Sequence, residues 1–464
     1  MDSRHPCRTP ADDAAPEHTA PEHTAPEHAA PASTASATAA PELEAEYEHS
    51  PVPPERRKSL PAVSAVWFGF PMILTNAVPG GVVVAVLGFW RGLAAILVAN
   101  LVMFAYVGLL SHRAGSTGEN FALQATRTFG RVGHVVASGF LATVVVGWFA
   151  FNTGATGATL HQAFGWHEQL VAAVAGAAFV AVTYLGIRAL SWLGAVAAPL
   201  FVVVGATAVV LVAREHDLGA VFAYEGVAGA GAMTFGAAVS LIMATFADSG
   251  TMTADFTRWS KDGRQAVLAT ATAFPLASLV AQLTGGIVVA AGAIASAETV
   301  GGNFLPLLTD GHGAFLDALA AVFVLVNLGS VCSHCLYNGA LSWSHLTRTK
   351  MRVMTLVLGV IGTAAALAGV WNHFLDWLVV LSVFVPPLGG VLIADQVLLR
   401  RRAEARATGA VRPTAFAAWG AGALVGGLVH WYAPRFSDAV SGLVVAIAAY
   451  VLLERVLPRT TAER

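Results

Sequence analysis

The chain has 464 residues, 56% of them hydrophobic and only 12% charged, too apolar a balance for a soluble protein of this length. Its formal net charge of −2 offers no electrostatic footprint for a nucleic-acid partner. Three cysteines (Cys7, Cys332 and Cys335) are too few for a disulfide framework, so composition places the chain in a membrane.

Residues 1–58 stand apart. They are rich in Ala, Pro, Glu, Thr and His and carry the tandem repeat APEHTAPEHTAPEH over Ala15–His28. Low hydrophobicity and Pro-rich repetition predict a disordered tail. No stretch in it has the apolar core of a signal peptide, which leaves targeting to the first membrane helix.

From Ser59 to the C-terminus (59–464), apolar runs near the ~20 residues a bilayer requires alternate with short polar connections. They predict an all-α polytopic membrane protein of about twelve transmembrane helices, near 61–87, 91–112, 134–160, 169–187, 191–213, 233–257, 266–292, 314–342, 352–372, 377–399, 413–433 and 439–457. With both termini inside, the outward connections hold only Arg91, Arg214 and Arg435 of the 26 Lys and Arg. A bias of that size supports the count and predicts a multi-pass plasma (inner) membrane protein with cytoplasmic termini.

Two helices carry marks of breakage. In the first, Gly69-Phe70-Pro71 interrupts the run VWFGFPMILTNAVPGG, and proline removes a donor and clashes with the preceding turn. The sixth reads SLIMATFADSGTMTADFTRWSKDGR over 240–264, with Asp248-Ser249-Gly250 inside it. An acid at mid-membrane costs roughly 2.5–3.5 kcal/mol on insertion scales and so faces a cavity or pathway. Ser-Gly after it allows unwinding, which a membrane tolerates only where the freed backbone lines a cavity. The alternative is that Asp248 caps a shortened helix near the surface. Helices one and six are equivalent if the first ten helices form two repeats of five, 61–213 and 233–399, followed by two further helices over 413–457.

Other motifs suggest less. Cys332-Ser-His-Cys335 has C-x-x-C spacing, but it lies in an apolar run without a second ligand pair. His334 reads as satisfied against a neighbouring helix, and Asp255 with Arg258 as an interfacial ion pair. Pro386-Pro387-Leu388-Gly389-Gly390 predicts a break in helix ten, suited to a moving gate. Nothing resembles a P-loop, hydrolase elbow or zinc protease motif, so the chain reads as driven by an ion gradient and not as an enzyme.

The stretches GTMTADFTRWSKDGRQAVL (Gly250–Leu268), DWLVVLSVFVPPLGGVLIADQVLLRRR (Asp376–Arg402) and VGWFAF (Val146–Phe151) closely resemble the nucleobase–cation symporter-1 family, with similarity from about Pro54 to the C-terminus. The resemblance implies a leucine-transporter-like fold, a 5+5 inverted repeat plus two C-terminal helices. It also implies a nucleobase stacked between Trp148 and Phe246, with Thr245 beside them and Asn327 addressing the base edge. A flat heterocycle suits such a sandwich, each stacking contact being worth ~1–3 kcal/mol. The family's sodium site maps to backbone carbonyls near Gly69 and Met72, the Asn327 carbonyl, and the side chains of Ser330 and Val331.

The chain departs from the family at several of these positions. Val331 stands where a hydroxyl would serve sodium, and a hard cation wants oxygen. Val145 replaces a glutamine, Cys332 an asparagine and Asp248 a serine. Asp248 therefore emerges as a candidate for both recognition and coupling: a protonated acid donates once and accepts once, matching the amino-and-ring-nitrogen edge of cytosine or adenine. These residues point to a monomeric carrier that imports cytosine or a purine with H+ or Na+ and needs no cofactor. A second reading keeps the family and changes the cargo to a hydroxymethylpyrimidine, hydantoin or allantoin. An amino-acid transporter leaves the aromatic pair without purpose, and a channel or membrane enzyme lacks supporting residues.

Overall fold

The computed structural model describes residues 44–227, 233–309, 311–370, 374–400 and 409–456. The repeat Ala15–His28 and Cys7 lie outside them. In chain order come α1 (Leu60–Gly69), α2 (Leu74–Leu87), α3 (Phe89–Thr117), α4 (Phe121–Phe129), α5 (His134–Phe164), α6 (Glu168–Tyr184), α7 (Ile187–Glu215), α8 (Phe235–Ala244), α9 (Ala247–Thr251) and α10 (Ala254–Thr257). There follow α11 (Gly263–Ala271), α12 (Ser278–Ala290), α13 (Ala297–Val300), α14 (Pro306–Thr309), α15 (Ala314–Thr347), α16 (Met351–Leu367), α17 (Phe374–Ile393), α18 (Pro413–Tyr432) and α19 (Asp438–Val456). Among the described residues, seven helical stretches are long and apolar enough to cross a bilayer, and the bent pair α1–α2 makes an eighth. The other four expected spans coincide with α6, with α8 through α10, with α16 and with α18.

Two packed groups surround the centre. One is α5, α6, α15 and α16; the other is α1, α2, α3 and α8 through α12, with α7 touching α1, α12 and α15. Close helix approaches use residues without side chains. At Gly69, where α1 ends, a Cβ would lie 2.3 Å from the Cα of Gly194 on α7, so the two backbones are in contact.

The first helix breaks where proline predicts, between Gly69 and Leu74, with a bend of 57°. The sixth breaks two residues earlier than Asp248–Gly250: Thr245 and Phe246 form the turn, and Asp248, Ser249 and Gly250 lie inside the short helix α9. Gly250 is used for packing, since a Cβ there would stand 2.8 Å from a methyl of Val107. Helix ten is also unlike its expectation, because α17 runs unbroken through Pro386 and Pro387. One turn before them Trp419 donates to the Phe384 carbonyl at 2.9 Å, which anchors α18 to this weakened stretch.

The tail expected over 1–58 is ordered in its last part, residues 44–58. Average composition conceals specific anchors there. Glu46 is 3% exposed, and its carboxylate accepts from the Ile187 N–H (3.0 Å) and the Tyr337 hydroxyl (2.7 Å). Gly186, at φ +86°, leaves room for it, because a Cβ there would lie 1.8 Å from Glu46 Oε1. Burial pushes the Glu46 carboxyl above the usual carboxylate range, while these two hydrogen bonds pull it the other way. Lys58 pairs with Glu44 at 2.8 Å and its N–H donates to the Trp259 carbonyl.

Gly69→Val is expected to lower the thermal midpoint of the purified protein, through overpacking worth ~1–3 kcal/mol against the Gly194 backbone. An unshifted midpoint in a detergent melt would show that α1 and α7 do not cross this closely.

Candidate functional site

Breaking a helix inside a membrane strands backbone groups that lipid cannot satisfy. The α1–α2 break solves this with side chains. The Asn327 amide of α15 donates to the Met72 carbonyl (2.9 Å), and its oxygen accepts from the Leu74 N–H (2.8 Å). Both partners fix the amide's orientation. Ser330 donates to the Gly69 carbonyl at 3.3 Å, and Asn76 donates to the Pro71 carbonyl at 2.8 Å. Asn76 is held in turn by Gln282 (3.0 Å), which accepts from Asn100 (2.7 Å), a buried chain joining α2, α12 and α3.

Between the two breaks lies a small cavity of about 10 Å³, enough for roughly one water. Phe70, Trp148 and Phe246 supply flat walls, and Ile73 and Val331 add apolar surface. Thr75, Asn76, Asn152, Thr245, Ser249 and Cys335 supply neutral polar groups. The polar wall is pre-set, because Thr75 donates to the Asn152 oxygen (3.0 Å) and Asn152 donates to the Trp148 carbonyl one turn back (3.0 Å). Towards the basic end the cavity floor is aromatic: Phe70 meets Phe246 edge-on at 5.3 Å and stacks on His334 at 4.9 Å.

Of the residues singled out in the sequence, Trp148, Thr245 and Phe246 line this cavity. Asp248 does not. It is fully buried one layer behind, its Oδ1 accepting from the Ser249 N–H at 2.7 Å. The Trp148 indole interacts with this carboxylate from the cavity wall, beyond close hydrogen-bond geometry. Asn327 lies outside the cavity lining and engages the helix break, its amide meeting the Met72 carbonyl and the Leu74 N–H. Cys332 also lies off the cavity, its thiol turned to Thr153 (3.6 Å) and the Phe149 carbonyl on α5. Of the residues expected around sodium, Ser330 bonds Gly69 and Asn327 bonds Met72, and Val331 faces the cavity.

Arg258 meets Asp255 at its backbone carbonyl, to which the guanidinium donates at 3.3 Å. It also donates to the carbonyls of Glu46 (2.6 Å) and Tyr47 (2.9 Å), while the Asp255 carboxylate accepts from the Phe121 N–H (2.9 Å). Asn152 was missed by sequence reasoning although a signal existed: it follows Trp148 by four residues and so shares its helical face. Thr75 carried no comparable mark, and Ser249 was marked only as part of the expected break.

A broken-helix cavity at the centre of a polytopic bundle defines a membrane permease, not an enzyme. A model for the family of permeases for cytosine/purines, uracil, thiamine and allantoin matches residues 51–426, and the chain belongs to that family. It is 29% identical over 415 residues to the cytosine permease of Escherichia coli (strain K12), covering 89% of this chain and 96% of that one. The closed conformation of Mhp1, a nucleobase-cation-symport-1 family transporter with bromovinylhydantoin bound, superposes with a TM-score of 0.74 at 21% identity, over 88% of this chain and 94% of that one. The inward-facing conformation of Mhp1 gives 0.69 at 22% identity, over 88% and 92%. The fold is thus the leucine-transporter-like arrangement that the resemblance implied.

Asn327→Leu keeps the volume and orphans two buried backbone groups at ~1–3 kcal/mol each, so a loss on the order of 2–4 kcal/mol is expected. A thermal midpoint equal to that of the parent protein would remove Asn327 from its place at the break.

Proposed function

We propose that the protein imports cytosine, or a purine with the same amino-and-ring-nitrogen edge, by alternating access in symport with protons. The observation that carries this reading is the cavity's chemistry: flat aromatic walls with neutral donors and acceptors, and no ionised group among its lining residues. Such a wall suits a planar uncharged heterocycle, and it offers nothing to the charged ends of an amino acid. Family membership and the near-complete coverage of the cytosine permease favour the same cargo. At about 10 Å³ the cavity has room for less than a base, so loading requires the helix groups to part.

Proton coupling is favoured at two places. At the α1–α2 break, the Gly69 and Met72 carbonyls already accept from Ser330 and Asn327. Val331 adds no oxygen there. Asp248, by contrast, is a buried acid in contact with the cavity wall through Trp148. We place the basic end, with Lys58, Arg258 and Arg264, in the cytoplasm by the distribution of Lys and Arg, and the carrier in the inner membrane as a monomer.

Uptake of radiolabelled cytosine into proteoliposomes, with proton and sodium gradients imposed separately, tests the reading. A proton gradient alone is expected to drive accumulation, with competition by adenine. Asp248→Asn is expected to retain cytosine binding and lose gradient-driven accumulation, and accumulation with unaltered pH dependence would overturn its coupling role. Trp148→Ala should weaken cytosine binding by roughly tenfold to a hundredfold, the loss of one stacking contact. If neither gradient drives cytosine, and hydantoin alone competes for binding, the cargo is the hydantoin of the second reading.

A further inference from the structure

An unbroken column of rings runs from the cavity to the basic end. Phe246 on the cavity wall meets Phe70 at 5.3 Å, Phe70 meets Phe256 at 5.9 Å, and Phe256 stacks on Tyr337 at 5.9 Å and 21°. The column ends on the N-terminal segment, where the Tyr337 hydroxyl donates to Glu46 at 2.7 Å. The same segment is fastened to both helix groups. From one side Arg258, just after α10, donates to the carbonyls of Glu46 and Tyr47, and Trp259 packs edge-on against Tyr47. From the other, Tyr337 of α15 holds Glu46, while in α16 the Met351 N–H donates to Glu48 (3.0 Å) and Arg352 to the Glu44 carbonyl (2.8 Å).

We propose that residues 44–58 are a latch that closes the path between the cavity and the basic end, with Glu46 as its pin, and that the latch leaves its dock whenever that path opens. Opening must move Phe256 and Tyr337 apart, because they are stacked across the path from opposite helix groups. A segment hydrogen-bonded to both groups cannot keep both sets of bonds when they separate. The dock is suited to release: Val52 and Tyr47 are its apolar contacts, and the rest are hydrogen bonds and charges, which water replaces, a buried charged contact gaining back on hydration much of what it loses in partners. A purely apolar plug would have no such exchange. The segment therefore acts as a reversible closure with an energy set by few residues. This inference rests on the alternating-access reading for its role, but its test needs no substrate.

The reporter is Cys335, which lines the cavity and is 2% exposed in the closed state. Full-length protein with Cys7→Ser is reconstituted in vesicles, and a membrane-impermeant maleimide is applied at the basic face. Mass spectrometry separates Cys335 from Cys332. Glu46→Ala is expected to raise the Cys335 labelling rate by roughly tenfold to a hundredfold, as loss of two ordinary hydrogen bonds implies. Glu46→Gln, which keeps an acceptor, should fall between. If Glu46→Ala does not fold, Tyr337→Phe removes the hydroxyl alone and should accelerate labelling at least about threefold. Labelling rates equal to the parent in every folded variant would overturn the proposal. Hydrogen exchange of the parent gives a second reading: amides of 44–58 should exchange faster than those at the centre of α15, because the latch opens below global unfolding. Equal protection of the two would make the segment a static staple and sink the latch. A chain that moved no nucleobase would still show Glu46-dependent labelling, so the two proposals fail separately.

Discussion

The interaction on which the structure depends is the hydrogen bonding of the α1–α2 break. Hydrocarbon offers no partner to a freed carbonyl, so a helix can open at mid-membrane only where side chains stand in for the missing turn. Asn327, Ser330 and Asn76 do this for Gly69, Pro71, Met72 and Leu74. Because Asn327 and Ser330 belong to α15 and Asn76 leads into α12 and α3, repairing the backbone also ties the two helix groups together. The cavity exists because the break exists, and it lies between those groups because the repair comes from across it.

Much of this architecture was legible. Spans of about twenty apolar residues announce themselves through hydropathy, and Gly69-Phe70-Pro71 announces a break because proline withholds a donor. The second break was misplaced because Ser-Gly permits unwinding without requiring it, and at Gly250 the absent side chain serves the approach of Val107 instead. Helix ten shows the same asymmetry, since α17 absorbs two prolines. Asn327 illustrates a deeper limit. A polar side chain beside a break can serve a ligand or the backbone, and only coordinates show which claim is closer. The ordered part of the tail was illegible for another reason: averaging over 58 residues hides Glu46 and Tyr47 among repeats of quite different character.

The cavity's size and composition bear on how selectivity arises. A cavity of about 10 Å³ does not measure the substrate, so recognition must form as the walls part and close again around the base. Geometry within one helix can persist through that motion, as with Asn152 bonded to the Trp148 carbonyl, whereas the bond from Thr75 to Asn152 joins the two groups and must break. These neutral groups can reorient toward a base edge at little electrostatic cost. A charge exposed in the wall could not, because each empty transit would have to desolvate it again.

That reasoning gives a physical sense to finding Asp248 behind the wall and not in it. Lying behind Trp148, the acid is insulated from the aqueous path, yet its neighbour carries the surface on which a base would stack. A proton on Asp248 would then report on the position of Trp148 without contacting the substrate. The same displacement that seats the base would alter the acid's surroundings, and linkage makes the effect reciprocal. Direct recognition by the carboxylate, the simpler idea suggested by the sequence, would instead require Asp248 to trade burial for exposure in every cycle. On the proposed reading, the observed placement would allow coupling through one shared neighbour, and it would leave the hydrogen-bonding groups of the wall free to choose the base.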